Sequence, residues 1–328
     1  MGINMNTELG FGCAPILGRV NKSQSLCALD LAIKEGIDYF DIARSYGWGE
    51  AESLLGKFVS TNNIARDSIQ ITTKFGLNPQ NNRLLKISKA IARKVLTTIP
   101  QSQKMIKVTA SKVAPKPNFT LNNAKLSLET SLKALCTDYI DYLLIHEFNF
   151  TNYREFDLEI IHFLNEQKRS GIIKNFGYSV GDSLDLFFEF IETTELVPGL
   201  IQIPCGLAPH YRNMLSKFRE KGTKIVFHSP FRSISSNEEF NLYLDERLDK
   251  FALLDDIKFQ MNYELDESQL ISVVLLCYFK ARYLPYKIIA SMFSQEHIFI
   301  NQKAVNKINL TEEQISIVDQ FFNASSVF

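Results

Sequence analysis

Four polar side chains lie at or just after the ends of segments that read as buried strands. Asp41 and Tyr46 follow one such segment, Lys74 ends the next, and His146 ends a third. A tyrosine has an ordinary pKa of about 10, and a lysine ammonium beside it stabilises the phenolate. A carboxylate next to that lysine keeps the ammonium charged and in place. These residue types at these positions predict a proton-transfer site in which Asp41 holds Lys74 and Lys74 lowers the pKa of Tyr46.

The elements that must position these side chains are eight short β-branched or aromatic segments in alternation with helical patterns. They are GFGCAPI (10–16), YFDIA (39–43), IQITTKF (69–75), YIDYLLIH (139–146), NFGYSV (175–180), LIQIPC (200–205), KIVFHSP (224–230) and KIIASMF (287–293). This alternation predicts an α/β protein with a closed (β/α)8 TIM barrel, formed by residues 1–328 as one domain. In such a barrel the carboxyl ends of the strands meet at one face, where Asp41, Lys74 and His146 would lie together. A dinucleotide-binding Rossmann fold is disfavoured, because GFGCAP lacks the third glycine of that motif.

Glycines mark the predicted helix ends, because glycine adopts the left-handed conformation without steric cost. They are Gly36, Gly56, Gly171 and Gly222.

Composition excludes several classes of protein. The formal net charge is zero, which argues against a nucleic-acid partner. Five cysteines lie scattered without CxxC spacing, as is typical of reduced thiols. The longest apolar run, residues 273–279, is far too short to span a membrane. The N-terminal residues 1–12 lack the pattern of a secretory signal, so we expect a cytoplasmic protein.

One segment interrupts the alternation. Residues 77–118 form a long insertion after the third strand, with nine lysines or arginines and no acidic residue. Within it, apolar residues at helical spacing (84, 87, 91 and 95) lie opposite basic ones (83, 86, 89 and 93). Long loops over a barrel mouth often act as lids or specificity elements. The insertion is therefore either a solvated basic surface or a site for an anion, which could be a phosphorylated or nucleotide-linked substrate, a carrier protein or an acidic membrane surface.

Two stretches carry a resemblance to a known family. They are similar to two signatures of the aldo-keto reductases, and they read GIDYFDIARSYGWGEAESLLG (36–56) and SLKALCTDYIDYLLIHE (131–147). The resemblance covers most of the chain. It implies that Tyr46 is the general acid/base, that Lys74 lowers its pKa with Asp41 as partner, and that His146 orients the substrate carbonyl. It also implies hydride transfer between NADP or NAD and a small carbonyl or sugar substrate, without a metal. Three stretches look most like the bacterial aldose-dehydrogenase branch, which acts in carbohydrate metabolism: LGFGCAPI, FDIARSYGWGEAE and GYSVG.

The resemblance also implies contacts around the nicotinamide. Ser179 and Gln202 would hold its amide, although Val180 replaces the asparagine that usually follows the serine. His228 stands where an aromatic ring usually stacks on the nicotinamide. Trp48, two residues after Tyr46, would line the substrate pocket.

The rest of the cofactor would be held by residues further along the chain. The implied pyrophosphate contacts are Ser229, Phe231, Arg232 and Ser233. The implied contacts of the adenosine half are Ser291, Phe293, Glu296 and Asn301. Phe293 falls where an arginine commonly binds the 2′-phosphate, so the resemblance leaves the choice between NADP and NAD open.

Two alternatives remain beside the oxidoreductase. A barrel with a weakened cofactor site could act in a binding, regulatory or redox-neutral role, since the cofactor side departs from the family at residues 180, 228, 291 and 293. Metal-dependent hydrolysis would need clustered histidines, but the five histidines are dispersed and the first strand has no HxH. We therefore predict no metal site.

Overall fold

The fold is described by a computed structural model for residues 8–79, 116–148, 159–181, 184–194, 196–207, 209–231 and 250–324. Its strands are β1 (Leu9–Gly12), β2 (Tyr39–Asp41), β3 (Gln70–Phe75), β4 (Leu77–Asn78), β5 (Lys116–Pro117), β6 (Ile140–Phe148), β7 (Ile173–Val180), β8 (Leu200–Pro204), β9 (Lys224–His228) and β10 (Lys287–Ala290). All of them except β4 and β5 pair in parallel and form a closed barrel. The eight predicted strands and the (β/α)8 barrel are confirmed.

Helices follow the barrel strands. They are α1 (Lys22–Lys34), α2 (Ala51–Thr61), α3 (Leu121–Leu135), α4 (Glu159–Arg169), α5 (Leu184–Thr194), α6 (Arg212–Glu220), α7 (Lys250–Met261), α8 (Glu267–Tyr283), α9 (Gln295–Lys307) and α10 (Glu312–Ala324). Short 3₁₀ turns occupy Tyr46–Gly49, Arg66–Ser68 and Cys205–Leu207. Within the described part of the chain, none of the helices has the length and apolar character needed to cross a bilayer.

The order of the strands around the barrel is β1, β10, β9, β8, β7, β6, β3 and β2, and β2 returns to β1. Closure rests on two pairings of β1, with Phe11 beside Phe40 on one side and beside Ala290 on the other. Because every strand is parallel to its neighbours, all their carboxyl ends lie at one rim of the barrel. The site residues predicted at strand ends therefore share that rim.

The core has two layers, and alternation along each strand assigns side chains to one or the other. The barrel interior is filled by a cluster of Tyr39, Tyr142, Leu144, Leu200, Val226 and Ile289. A larger cluster lies between the barrel and the helices, and it includes Leu143 and Ile145. On β6, residues 142 and 144 thus face inward while 143 and 145 face the helices.

Left-handed residues end several helices as the sequence predicts. Gly36, Gly171 and Gly222 have φ of 79°, 79° and 87°. Cys136 takes the same conformation, with φ 53°, at the end of α3. The prediction for Gly56 is wrong, because this glycine lies inside α2.

Gly56 instead permits two helices to touch. A Cβ added there would lie 2.4 Å from the carbonyl oxygen of Ala134 in α3, which is far inside van der Waals contact. The glycine is therefore a packing residue, needed because the α3 backbone passes directly over α2.

The two ends of the long insertion pair with each other. β4 and β5 form an antiparallel ribbon in which Leu77 lies beside Pro117 and Asn78 beside Lys116. Residues 80–115, including the predicted helical stripe and most of the basic charge, lie outside the described residues. The ribbon brings the chain back beside the point where it leaves β3.

Substitution of Gly56 by alanine should lower the free energy of unfolding by about 1–3 kcal/mol, because the new methyl group forces α2 and α3 apart. Urea denaturation followed by circular dichroism measures the change. Gly18→Ala is the matched control, since a Cβ there would meet its nearest neighbour at an ordinary 3.6 Å. Equal stability of the two variants would contradict the packing role of Gly56.

Candidate active site

A buried ion pair occupies the rim of the barrel. The Lys74 Nζ atom donates to both carboxylate oxygens of Asp41, at 2.7 and 2.8 Å, and to the carbonyl oxygen of Ile42 at 3.0 Å. Lys74 is 1% exposed and Asp41 is 4% exposed. β2 and β3 hold the two residues on adjacent strands, with Asp41 registered beside Thr72. Gln202 on β8 adds a hydrogen bond from its Nε2 atom to Asp41 Oδ1 at 3.2 Å.

Tyr46 reaches this pair from the turn that follows β2. Its hydroxyl oxygen lies 3.4 Å from Lys74 Nζ, within hydrogen-bond reach of the ammonium. The turn is tightly folded, with Gly47 at φ 55° and Trp48 at φ 61°. A Cβ on Gly47 would lie 2.7 Å from the carbonyl oxygen of Ile16, so glycine at this position is a steric requirement. The predicted neighbours Asp41, Lys74 and Tyr46 are thus brought together.

His146 completes the group from β6. Its ring centroid lies 5.8 Å from that of Tyr46, in an edge-to-face arrangement. The imidazole is buried, and its Nδ1 atom makes no hydrogen bond within the described ranges. Burial, with the nearby charges of Lys74 and His228, holds the pKa of His146 well below its usual range. His146 is therefore a neutral imidazole at physiological pH.

The protonation of Tyr46 differs from the sequence prediction. Burial raises the pKa of the phenol above its ordinary value, and the charges of Asp41 and Glu147 add to the rise. Lys74 lowers the pKa of Tyr46 but does not cancel the effect of burial. The net direction is opposite to the predicted one, because burial disfavours the charged phenolate relative to the neutral phenol. Tyr46 is thus a protonated donor at neutral pH.

Lys74 remains charged in this environment. Burial acts to lower its pKa, but the Asp41 carboxylate and Tyr46 raise it, and the result lies above the ordinary value. Burial also raises the pKa of the Asp41 carboxyl, against the hydrogen bonds from Lys74 and Gln202. The short contacts to both carboxylate oxygens favour the ionised pair.

The four residues line one cavity of about 850 Å³ at the rim. Other described residues that line it are Gly12, Ala14, Arg19, Glu147, Ser179, Val180, Gly181, Gln202, Pro204, His228, Ser229, Pro230, Phe231, Ile289 and Ser291. The walls come from the carboxyl ends of β1, β2, β3, β6, β7, β8, β9 and β10. A proton donor, a neutral imidazole and a buried ammonium therefore face one common space.

The sequence of the whole chain decides the family. Residues 8–323 match the model of the aldo/keto reductase family. The chain belongs to the aldo/keto reductases. Members of this family are generally NAD(P)-dependent oxidoreductases that act on small carbonyl substrates.

Curated relatives of this aldo/keto reductase match it in part. Norsolorinic acid reductase A of Aspergillus parasiticus is 28% identical over 175 residues, which is 52% of this chain and 37% of that protein. L-galactose dehydrogenase of Arabidopsis thaliana is 22% identical over 234 residues, which is 68% of this chain and 61% of that protein. The matches thus span about a third to three fifths of the length of these relatives.

Solved aldo-keto reductases have the same fold along nearly the whole chain. The holo form of one from Bacillus halodurans gives a TM-score of 0.64 at 20% identity, covering 96% of this chain and 91% of the other. A thermostable one in complex with the inhibitor epalrestat gives 0.66 at 23% identity, covering 96% and 94%.

Ser179 and Gln202 fit the amide of a nicotinamide in this aldo/keto reductase. They lie side by side on β7 and β8. The Gln202 Oε1 atom is buried and accepts no hydrogen bond within the described residues, although the Nε2 atom of the same side chain donates to Asp41. A buried carbonyl oxygen in a cavity wall is costly unless a donor meets it. A carboxamide N–H group would satisfy it.

The other predicted cofactor residues fall into three groups. Those that line the cavity are His228, Ser229, Phe231 and Ser291. Three more lie within the described residues but do not line the cavity, namely Phe293, Glu296 and Asn301. Arg232 and Ser233 lie outside the described residues. Trp48 is half-buried in the turn after Tyr46 and is not among the residues that line the cavity, so its contact with substrate stays a prediction.

Local packing accounts for the residues placed elsewhere. Phe293 turns its ring towards Phe11, with centroids 5.2 Å apart, and brings no cation to this position. Glu296 accepts a hydrogen bond from Gln269 on the surface. Asn301 is buried within α9. Their contacts to the adenosine half of a cofactor stay predictions.

A buried glutamate that the sequence analysis missed holds the Tyr46 turn to the barrel. Glu52, 1% exposed, accepts hydrogen bonds from Arg44 Nη1 at 2.8 Å, Thr73 Oγ1 at 2.6 Å and Ser131 Oγ at 2.7 Å. Arg44 lies two residues before Tyr46, and Thr73 precedes Lys74. Glu52 therefore ties the acid-bearing turn to the lysine-bearing strand. Its place in the GEAE stretch was visible in the sequence, but the partners come from distant segments.

Glu52→Ala should lower the free energy of unfolding by about 3 kcal/mol, because it leaves the Arg44 guanidinium without its buried partner. Turnover should fall as well, since the Tyr46 turn loses its tie to β3. Chemical denaturation and steady-state kinetics measure the two effects. Glu129→Ala on the exposed face of α3 is the control and should change neither. If Glu52→Ala were as stable as the wild type, the hydrogen bonds of Glu52 would not stabilise the fold.

Proposed function

We propose that this aldo/keto reductase transfers a hydride between NADPH or NADH and the carbonyl carbon of a small aldehyde, ketone or sugar, with Tyr46 as general acid/base. The observation that carries the proposal is the placement of the Tyr46 hydroxyl 3.4 Å from the buried ammonium of Lys74. A phenol in that position can give up its proton and leave a phenolate beside a fixed positive charge.

Each residue has a distinct task in the proposed reaction. Tyr46 donates its proton to the carbonyl oxygen as negative charge develops there, and Lys74 stabilises the phenolate that remains. The neutral imidazole of His146 donates an N–H hydrogen bond to the same oxygen and orients it. Asp41 keeps Lys74 charged and fixed.

Ser179 and Gln202 would hold the cofactor in the cavity through the amide of its nicotinamide. When bound, the reduced nicotinamide supplies the hydride. The side chain at position 293 is a phenylalanine, so a 2′-phosphate would have to be met by other groups. The proposal therefore includes both NADP and NAD.

The raised pKa of Tyr46 means that the form of the enzyme that can act in reduction is the populated one at neutral pH. A protonated phenol is ready to act as an acid, whereas oxidation needs the phenolate as a base. The names of the curated relatives support substrates with a carbonyl or sugar carbon, since one is a norsolorinic acid reductase and the other an L-galactose dehydrogenase. An anionic group on the substrate stays a prediction, because most of the basic insertion lies outside the described residues.

Titration of the purified protein with NADPH and NADH, followed by nicotinamide fluorescence, tests the proposed function. Saturable binding of either supports it. Binding of neither would contradict it and would favour the alternative of a barrel in a binding or regulatory role.

Tyr46→Phe should reduce turnover by about 10²- to 10⁴-fold, because the proton donor is lost from the transition state. The dissociation constant for NADPH should change little, since the phenol is not among the groups proposed to hold the cofactor. Steady-state rates and fluorescence titration measure the two quantities. Tyr263→Phe, in an exposed position away from the cavity, is the matched control. Turnover of Tyr46→Phe equal to that of the control would remove Tyr46 from this role.

The pH dependence of carbonyl reduction should follow the raised pKa of Tyr46. The acid form is the active one, so kcat/KM should stay level through neutral pH and fall only above about pH 10. The low pKa of His146 means that no acid limb should appear near pH 6.5. Initial rates across a constant-ionic-strength buffer series measure the profile, with enzyme re-assayed at neutral pH to check its stability. A decline in reduction that begins near neutrality would contradict the direction of the Tyr46 shift.

A further inference from the structure

Two consecutive side chains at the end of β6 enter the cavity. His146 and Glu147 both line it. Successive side chains of a regular strand face opposite sides. Since Leu143 and Ile145 face the helices, regular alternation would turn Glu147 towards the helices as well.

An irregularity in the strand changes that direction. The pairing of β6 with β7 shifts in register between Ile145 and Phe148, and Glu147 has φ 45°. The left-handed conformation is unfavourable for a glutamate. Bulges of this kind re-aim side chains beside active sites, and strained residues persist where they serve a purpose there. The strain at Glu147 places a carboxylate next to His146.

This carboxylate is not engaged in holding the fold together. Within the described residues, Glu147 makes no hydrogen bond or ion pair, and its side chain is exposed to the cavity. Glu52, by contrast, uses both carboxylate oxygens on structural partners. The charge of Glu147 reaches the phenol of Tyr46, where it adds to the raised pKa. The carboxylate therefore lies close to the place where the carbonyl oxygen would bind.

We propose that Glu147 determines specificity by accepting hydrogen bonds from hydroxyl groups on the carbons next to the reacting carbonyl. A carboxylate offers two acceptor oxygens and no donor, which suits vicinal hydroxyls. It repels an anionic substituent at the same position. The substrate class is thus a polyhydroxylated aldehyde or sugar that carries no charge beside the reacting carbonyl, and this inference rests on the proposed function.

Glyceraldehyde and propanal test the proposal, because they have the same carbon chain and differ by two hydroxyl groups. The ratio of kcat/KM for glyceraldehyde to that for propanal should fall by about tenfold or more in Glu147→Gln, since charge-assisted hydrogen bonds to the hydroxyls are lost. A ratio cancels any loss of active enzyme. Glu129→Gln, a surface carboxylate on α3, is the matched control and should keep the wild-type ratio.

Glu147→Asn separates specificity from structure, because asparagine tolerates the left-handed conformation. It should lower the same ratio while its thermal midpoint stays equal to or above that of the wild type. A lower midpoint would assign the carboxylate to the fold and overturn the proposal.

The possible failures are distinguishable. If the wild type reduces both aldehydes and the ratio is unchanged in Glu147→Gln, the role of Glu147 is overturned and the proposed function stands. If the wild type binds neither NADPH nor NADH, the proposed function fails, and the role of Glu147 fails with it. If the wild type binds a cofactor but does not reduce glyceraldehyde, only the role of Glu147 is overturned.

Discussion

The rim of this barrel depends on the buried ion pair between Lys74 and Asp41. Removing two charges from water is costly, and the cost is offset only where geometry and further hydrogen bonds are good. Here both carboxylate oxygens, the Ile42 carbonyl and the Gln202 amide take part. The pair therefore joins β2, β3 and β8 across the mouth of the barrel. Loss of either charge would leave the other buried without its partner.

The same burial sets the proton chemistry around the pair. The burial of Tyr46 and His146 disfavours their charged forms, so Tyr46 stays a phenol and His146 a neutral imidazole. Lys74 stays charged because the Asp41 carboxylate stabilises its positive charge. The result is one fixed positive charge beside two neutral hydrogen-bond donors. That combination can stabilise an oxyanion that forms in the cavity without a large rearrangement.

The sequence predicted the barrel and the four central residues because both depend on patterns that are local along the chain. Apolar runs define the strands, and parallel strands bring their carboxyl ends to one rim. The direction of the Tyr46 pKa shift depends on how deeply the phenol is buried, which no local pattern records. Gly56 has the spacing of a helix end, but its role comes from α3, far away in sequence. The role proposed for Glu147 was not predicted, because a register shift reverses the side of the strand that its side chain faces.

The ribbon of β4 and β5 has a consequence for how such a barrel can diversify. Because Leu77 and Pro117 are neighbours, the segment between them begins and ends at a single point on the barrel surface. The entropic cost of closing a loop grows only slowly with its length. The segment between these two residues can therefore lengthen, shorten or be exchanged without disturbing the strands beneath it. Evolution, or a protein engineer, can treat it as a replaceable module.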